Sequence, residues 1–327
     1  EFRRYMIEKF GKDDEAGITT FKSISFQEYA LRFGADEKSS NNEIAVITVE
    51  GAIMEGNISQ GVAGADGIVN QISSAHQNEG TKAIVLRVNS GGGSVIASEM
   101  MRDELIEAKR KGIDVVVSMG DVAASGGVYI STAADYIFAE ATSITGSIGV
   151  AIALPTFENV AEYVGVNFDG VVTSRYGGWD LTQSIDEDLD EIIKSSVAGV
   201  YDRFLQFVAE SRSQSYEDIR AIAGGRVWIG TAAKELGLVD EIGGINQAIT
   251  HAAKLSELAE YEVVYYGQEI SFEEKLVSEL LKNAGVSIQI PEVFSAVDGM
   301  LKFYESLIEI SNPEVLLTCG GCVVQLN

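Results

Sequence analysis

The sequence is poor in histidine, proline and cysteine, with two, three and two among 327 residues. It is also poor in positive charge. Lys and Arg total 24 against 49 Asp and Glu, a net charge of −25. Nucleic acid needs clustered Lys and Arg, so it is excluded as a partner, and anionic membrane surfaces are disfavoured for the same reason. A neutral or apolar peptide remains acceptable. No run is long and apolar enough to span a bilayer, which takes about 20 residues, and no signal-peptide pattern opens the chain. The chain starts Glu-Phe-Arg-Arg-Tyr, without methionine, and is expected to be a processed chain or part of a longer one. Cys319 and Cys322 make a C-x-x-C in TCGGC, but no second pair completes a four-cysteine zinc site. A terminal disulfide, two free thiols and a redox pair all fit; no βαβ pattern surrounds them as in a thioredoxin-like motif, which favours a structural or incidental role. So few prolines and no low-complexity tract argue against a disordered protein.

Apolar residues are plentiful, at 46%. Residues 1–42 read as an N-terminal arm ending in the polar run DEKSSNNE. A globular pattern starts with IAVITVEGAI and continues with KAIVLRV, whose apolar density suits a strand covered on both faces. The turn NSGGGS comes next. A helix over 94–111 is predicted after it, with Ala97, Met101, Leu105 and Ala108 on one face and Ser94 as N-cap. Then come the strand IDVVVSMG and a tight turn into AASGGVYISTAA. Strand, glycine turn and helix thus occur twice, which implies right-handed βαβ crossovers and an α/β layer fold with a parallel sheet. Short strands are expected at 136–139 and 167–172, a helix near 157–164 and a long helix over 186–211. Residues 43–254 form the predicted domain. Residues 255–327 read as a C-terminal helical extension, with a capping box at Ser271 and Glu274 and Pro291 at a helix start. Its stripe Phe294, Val297, Leu301, Tyr304 and Ile308 suits either its own core or another subunit.

Two features could carry chemistry. NSGGGS lacks the third glycine of G-x-G-x-x-G and the lysine of a P-loop. Its bare amides could instead form an oxyanion hole, or simply a turn. Ser125, in AASGG, does not match the G-x-S-x-G nucleophile elbow; it is a helix cap or a nucleophile. Turns at the same ends of adjacent parallel strands meet at one crevice, which favours the second reading. His76 and His251 show no acid in a triad-like arrangement, so a Ser-His-Asp mechanism is not expected. A lysine base would need its pKa of about 10.4 lowered by burial, and arginine cannot serve because it stays charged. Val95, Val128 and Tyr129 could line an apolar side-chain pocket, and serve equally well as core.

The stretches AIVLRVNSGGGSVIASE, VVVSMGDVAASGGVYIST, TGSIGV and GGRVWIGTAAKELGLVDEIGG resemble, in order, the signal peptide peptidase A (protease IV) family of the Clp-protease/crotonase superfamily. The tail YYGQEISFEEKL and LLTC resemble the C-terminal half of its long, two-repeat bacterial form. The resemblance implies a Ser/Lys endopeptidase with Ser125 as nucleophile, the amides of Gly92 and Gly126 as oxyanion hole, and Ser147 orienting a lysine base. It implies no cofactor. Its substrates would be cleaved signal peptides or other unfolded apolar peptides. It also implies a homo-oligomer and a parent anchored in the bacterial inner membrane facing the periplasm. Two departures stand out. The family's N-S-P-G-G reads Asn89-Ser90-Gly91-Gly92-Gly93, without the proline. The stretch VVTSRYGGWDLTQS, where short members carry the lysine, has only Arg175, and Lys194 on the next helix is a poor substitute. The base is therefore not identified in this chain and is expected from an N-terminal half. Alternatives from other classes are a crotonase-type acyl-CoA enzyme and a non-catalytic assembly module.

Overall fold

The structure is a computed structural model and describes residues 2–13, 20–23, 40–163, 165, 173–177, 179–267 and 316–318. The chain divides into two compact units, Glu1–Ser40 and Asn41–Asn327. In the first, α1 (Phe2–Phe10) turns at Gly11 into β1 (Lys12–Asp13), which pairs antiparallel with β2 (Thr20–Phe21).

The second unit is built on β3 (Glu43–Glu50), β6 (Thr81–Ser90) and β8 (Asp114–Ala124), which run parallel side by side. Side chains alternate across a strand, and here both faces are buried. Ile44, Val46, Ala83, Val85 and Val116 face α9 (Ile245–Leu255) through Ala248, Ile249 and Ala252. Ala45, Ile47, Ile84, Leu86, Val115 and Val117 belong to the larger core. That core includes Ile68 and Ile72 of α2 (Ala65–Gln77) and Met101 and Leu105 of α3 (Val95–Arg110). Two-sided burial explains the near-continuous apolar runs, and each fully buried Ile, Leu or Val contributes about 1.5–3 kcal/mol. The parallel sheet with helices on both faces is the expected α/β architecture.

β8 is the strand that positions the site. Val116–Met119 pairs parallel with β9 (Tyr136–Ala139), whereas Val122–Ala124 pairs parallel with β10 (Ile144–Gly146). The sheet therefore forks along β8. On its other side the register with β6 shifts between Val88 and Ser90, so that Ser90 faces Ala123. An irregularity of this kind bends a strand and re-aims the residues beyond it. Past β10 lies β11 (Val227–Ile229), antiparallel to it, and β12 (Glu241–Ile242) pairs with β9. A smaller sheet has the order β14 (Leu316–Thr318), β7 (Gly92–Ser94), β4 (Ala52–Met54) and β5 (Val62–Gly64).

Several boundaries agree with the sequence reading. Ser94 caps α3 by accepting from Ala97 N. The helix expected near 157–164 is α5, Glu158–Tyr163. The long helix is α6, Glu187–Ser211, capped by Asp186 accepting from Leu189 N. The sheet, however, continues past residue 254. β13 (Glu262–Tyr266) lies parallel to β3 at the sheet's edge, inside the segment read from sequence as a helical extension. The strand expected at 167–172, the capping box at Ser271, Pro291, the stripe from Phe294 to Ile308, Cys319 and Cys322 all lie outside the described residues. No helix among the described residues is long and apolar enough to cross a membrane.

Candidate active site

Ser125 sits between the end of β8 and α4 (Gly126–Ser131), with φ 52° and ψ −111°. A positive φ on a non-glycine residue costs free energy and marks a turn held by its surroundings. Here Ser125 N donates to Gly146 O at 2.9 Å, and Ser125 O accepts from Tyr129 N at 2.9 Å. The side chain is fully buried, and its Oγ has no hydrogen-bond partner among the described residues. Burying a hydroxyl without a partner costs about 1–3 kcal/mol. Strain and an orphaned hydroxyl thus fall on one residue, and neither helps the fold.

The glycine turn meets this residue directly. A methyl group on Gly126 would lie 2.8 Å from Ser98 Oγ, 3.1 Å from Gly92 Cα and 3.2 Å from Gly93 N. The two turns are therefore in van der Waals contact, and only a bare backbone fits between them. Gly92 has φ 98°, a conformation natural to glycine. Its N–H donates to Ser90 Oγ at 3.0 Å. Asn89 fastens the turn to β8, accepting from Val122 N at 3.2 Å through Oδ1. Ser94 also donates to Glu55 Oε1, and Ser98 Oγ donates to Ser94 O at 2.8 Å.

Ser147 completes the cluster. Gly146 is in register with Ala124, so Ser147 and Ser125 come directly after paired residues at the ends of two adjacent parallel strands. Ser147 also has a positive φ, 51°, is almost fully buried, and donates its N–H to Arg226 O at 2.6 Å. It borders a cavity of about 830 Å³ whose walls include Val150, Ile152, Ile193, Val197 and Tyr201. The four residues singled out from sequence, Gly92, Ser125, Gly126 and Ser147, thus lie together at one end of the sheet.

No cation among the described residues bonds Ser125 Oγ. Lys194 borders the same cavity, but its Nζ donates to Asp190 Oδ2 at 2.5 Å, and that carboxylate raises its pKa. It is an exposed ammonium, the opposite of what a base needs. Arg175 is exposed and paired with Asp186 and Asp188. His76 corrects the sequence reading. It is buried and does have an acid partner, with Nε2 2.6 Å from Glu104 Oε1 and Lys111 Nζ 2.8 Å from Nδ1. Helix pairing created this contact across 28 residues of sequence, where no local signal exists. His76 and Lys111 precede β6 and β8, at the opposite ends of the strands from Ser125. With a rise of about 3.3 Å per residue, β8 alone separates them by roughly 30 Å. His251 stacks on Tyr136 with ring centroids 3.9 Å apart, on the α9 face.

Val128 and Tyr129 are core residues rather than pocket lining, and Val95 packs against the same core. Tyr129 packs on Phe204 at 5.0 Å and Phe207 at 5.6 Å, and its hydroxyl donates to Glu99 Oε2. Burial, and then Glu99, push its pKa far up. Arg102 lies 3.5 Å over the Phe207 ring and donates from Nε to Thr132 Oγ1 at 2.8 Å. These contacts clamp α4, and with it Ser125, to α3 and α6. Tyr129 stands one turn after the serine, but its partner Glu99 lies on another helix and was missed from sequence.

Comparison with known proteins identifies a family. Residues 107–259 match the family model of Peptidase family S49. The chain is 40% identical over 277 residues to Protease 4 of Salmonella typhi, covering 85% of this chain and 44% of that protein. It is 40% identical over 247 residues to Protease 4 of Haemophilus influenzae, covering 75% of this chain and 39% of that protein. It is 31% identical over 269 residues to a candidate signal peptide peptidase SppA of Enterococcus faecium, covering 78% of this chain and 77% of that protein. The chain thus spans less than half the length of the two Protease 4 relatives.

Proposed function

This chain belongs to Peptidase family S49, and on that premise we propose that it is the nucleophile-bearing part of a serine endopeptidase acting through Ser125. The observation that carries the reading is the buried Ser125 Oγ, without a partner among the described residues, on a strained turn in contact with the Gly92–Gly93 backbone.

In the proposed reaction Ser125 Oγ attacks the scissile carbonyl and its proton passes to a neutral amine base. The amides of Gly92 and Gly126 hold the negative oxygen, an arrangement worth several kcal/mol per donor pair. For this the Gly92 N–H must turn away from Ser90 Oγ, its acceptor in this structure. The base returns the proton to the leaving amine, giving an acyl-enzyme. Water, deprotonated by the same base, then releases the acid and restores Ser125. Ser147 would orient the base from the cavity side.

The base is a lysine supplied from outside the described residues, in a preceding half of a longer parent protein. An ammonium moved into the apolar walls of Val150, Ile152, Ile193 and Val197 loses hydration, which lowers its pKa toward neutrality. Substrates are unfolded apolar peptides such as cleaved signal peptides, met at a bacterial envelope membrane by an oligomer of this protein.

A fluorogenic apolar peptide tests the assignment. The chain alone is expected to cleave it little or not at all, and mixing with the preceding half is expected to produce cleavage. That cleavage should vanish in Ser125→Ala. A mixture that stays active with Ser125→Ala would refute Ser125 as nucleophile. Strong Ser125-dependent cleavage by the chain alone would place the base within it.

A further inference from the structure

Ser147 does not hold its own position. Its φ of 51° is unfavourable for a serine, and it lies just past β10 in a stretch without regular structure. What fixes it is the antiparallel pairing of β10 with β11, carried two bonds further. Ser147 N donates to Arg226 O at 2.6 Å, and Gly225 N donates to Ile148 O at 3.0 Å. The approach is close on both sides. A methyl group on Gly146 would lie 2.8 Å from Arg226 O, and one on Gly149 would lie 3.2 Å from Gly225 N. Residues 224–226 therefore act as a template for Ser147.

The template has little bracing of its own. Gly224 and Gly225 both have positive φ, 69° and 74°, and carry no side chain to pack. Two side chains brace it instead. The hydroxyl of Tyr201, on α6, accepts from Gly224 N at 3.0 Å. Arg226 donates from Nη1 to Ala221 O at 2.9 Å and to Ala223 O at 3.0 Å, at the C-terminal end of α7 (Tyr216–Ile222). A cation there satisfies carbonyls that the helix leaves open and meets its negative end. Tyr201 also stands in the wall of the cavity that Ser147 borders.

We propose that Tyr201 and Arg226 are positioning residues for the general base, acting through the 224–226 turn on Ser147. The proposal rests on the reading of Ser125 as nucleophile and Ser147 as the group that orients a lysine. The effect is geometric first. A misplacement of about 1 Å costs on the order of 100-fold in rate. It is electrostatic as well. A lysine held less firmly against the apolar walls keeps more water, so its basicity rises and it stays protonated to higher pH.

Hydrogen exchange on the full chain reads the bracing without catalysis. Tyr201→Phe removes one hydroxyl and keeps the ring. Arg226→Ala removes the guanidinium, and Arg226→Lys restores a donor at the helix end. Exchange at the Ser147 and Gly225 amides is expected to rise about tenfold in the first two variants, the loss of one hydrogen bond, and less in the third. Cleavage of the fluorogenic peptide by the chain mixed with the preceding half reads the consequence. There kcat is expected to fall about ten- to a hundredfold with KM within about twofold. The acid limb of the kcat/KM profile is expected to move to higher pH. A mere loss of folded protein would lower the amplitude and leave that limb in place. Tyr216→Phe is the control. It removes the bond from Tyr216 OH to Asp202 Oδ1 at 2.7 Å, which also joins α7 to α6 but does not bear on the turn. It is expected to leave exchange at Ser147 and the acid limb unchanged.

Exchange at Ser147 and Gly225 unchanged in both Tyr201→Phe and Arg226→Ala would overturn the proposal. Faster exchange with kcat and the acid limb unmoved would also overturn it, by showing that the turn braces the fold alone. An acid limb shifted equally by Tyr216→Phe would count against it in the same way. Cleavage that survives Ser125→Ala would strike the peptidase reading, and with it any base to be placed, while the exchange result would still measure the bracing. The two failures are thereby told apart.

Discussion

Replacing Gly126 with alanine probes the contact on which the site depends. The added methyl would meet Ser98 Oγ at 2.8 Å, Gly92 Cα at 3.1 Å and Gly93 N at 3.2 Å. The first neighbour is a hydroxyl that can rotate away, but it is held by its bond to Ser94 O. The other two are backbone atoms of β7, pinned between β4 and β14. Overpacking of this kind costs about 1–3 kcal/mol. Against it stands the better helix propensity of alanine, at most about 1 kcal/mol and less at a first helical position. The net expectation is a loss of about 1–2 kcal/mol. For a domain of this size that lowers the melting temperature by roughly 2–8 °C. Ser98→Ala removes the nearest obstacle, so the double variant should recover part of the loss, and a double-mutant cycle should show coupling. Thermal melts followed by circular dichroism measure all four proteins. A Gly126→Ala chain as stable as the unaltered one would mean that the two turns do not touch, and the oxyanion geometry would fall with that contact.

Ser125→Ala should stabilise the chain by about 1 kcal/mol, because it removes a buried hydroxyl with no partner among the described residues. Ser125→Gly should also relieve the φ of 52°; a lower melting temperature for the alanine variant would show that the hydroxyl is bonded. Arg212 donates from Nη1 to Asp240 Oδ2 at 2.9 Å and from Nε to Gly237 O at 2.9 Å, with its side chain 10% exposed. Arg212→Ala should therefore cost about 2–3 kcal/mol in urea unfolding, since Asp240 keeps only the bond from Ile137 N, and lysine should rescue it poorly because it lacks the planar fork. Tyr129 keeps its proton in the folded state well above the pKa of about 10 it has when unfolded. Its contribution is thus fully present below pH 10 and declines as pH rises above that value. Tyr129→Phe should flatten the alkaline fall of the melting temperature, and an unchanged slope would refute the assignment.

What could be read from the sequence was what local chemistry encodes. Buried parallel strands announce themselves as apolar runs, and Ser94 as a cap. Glycine at 126 marks a place where no side chain fits, and glycine at 92 a positive φ. The contacts that were missed join residues far apart in sequence. β13 and β14 are short strands without periodicity, and their partners are β3 and β7. His76 finds Glu104 and Lys111, and Tyr129 finds Glu99, only because two helices pack side by side. Positive φ at Ser125 and Ser147 had no signal either, because serine does not advertise that conformation as glycine does.

The arrangement also limits what can complete the site. The missing group must accept a proton from a hydroxyl that no side chain of the described residues bonds. On the proposed reading it arrives beside Ser147, at a cavity with Val150, Ile152, Ile193, Val197 and Tyr201 in its walls and Asp190 and Lys194 at its border. A carboxylate arriving there would meet Asp190 and a desolvation cost, with one exposed ammonium already paired. An amine is attracted by the first, which raises its basicity, and has that basicity lowered by the second, so burial has to outweigh Asp190 for it to act as a general base near neutral pH. The strong negative charge of the chain acts the same way at longer range, favouring approach of a cationic segment. On the proposed reading, charge and burial therefore favour an amine over a carboxylate as the base. Closing the cavity around it would convert the strain stored at Ser125 into a usable nucleophile.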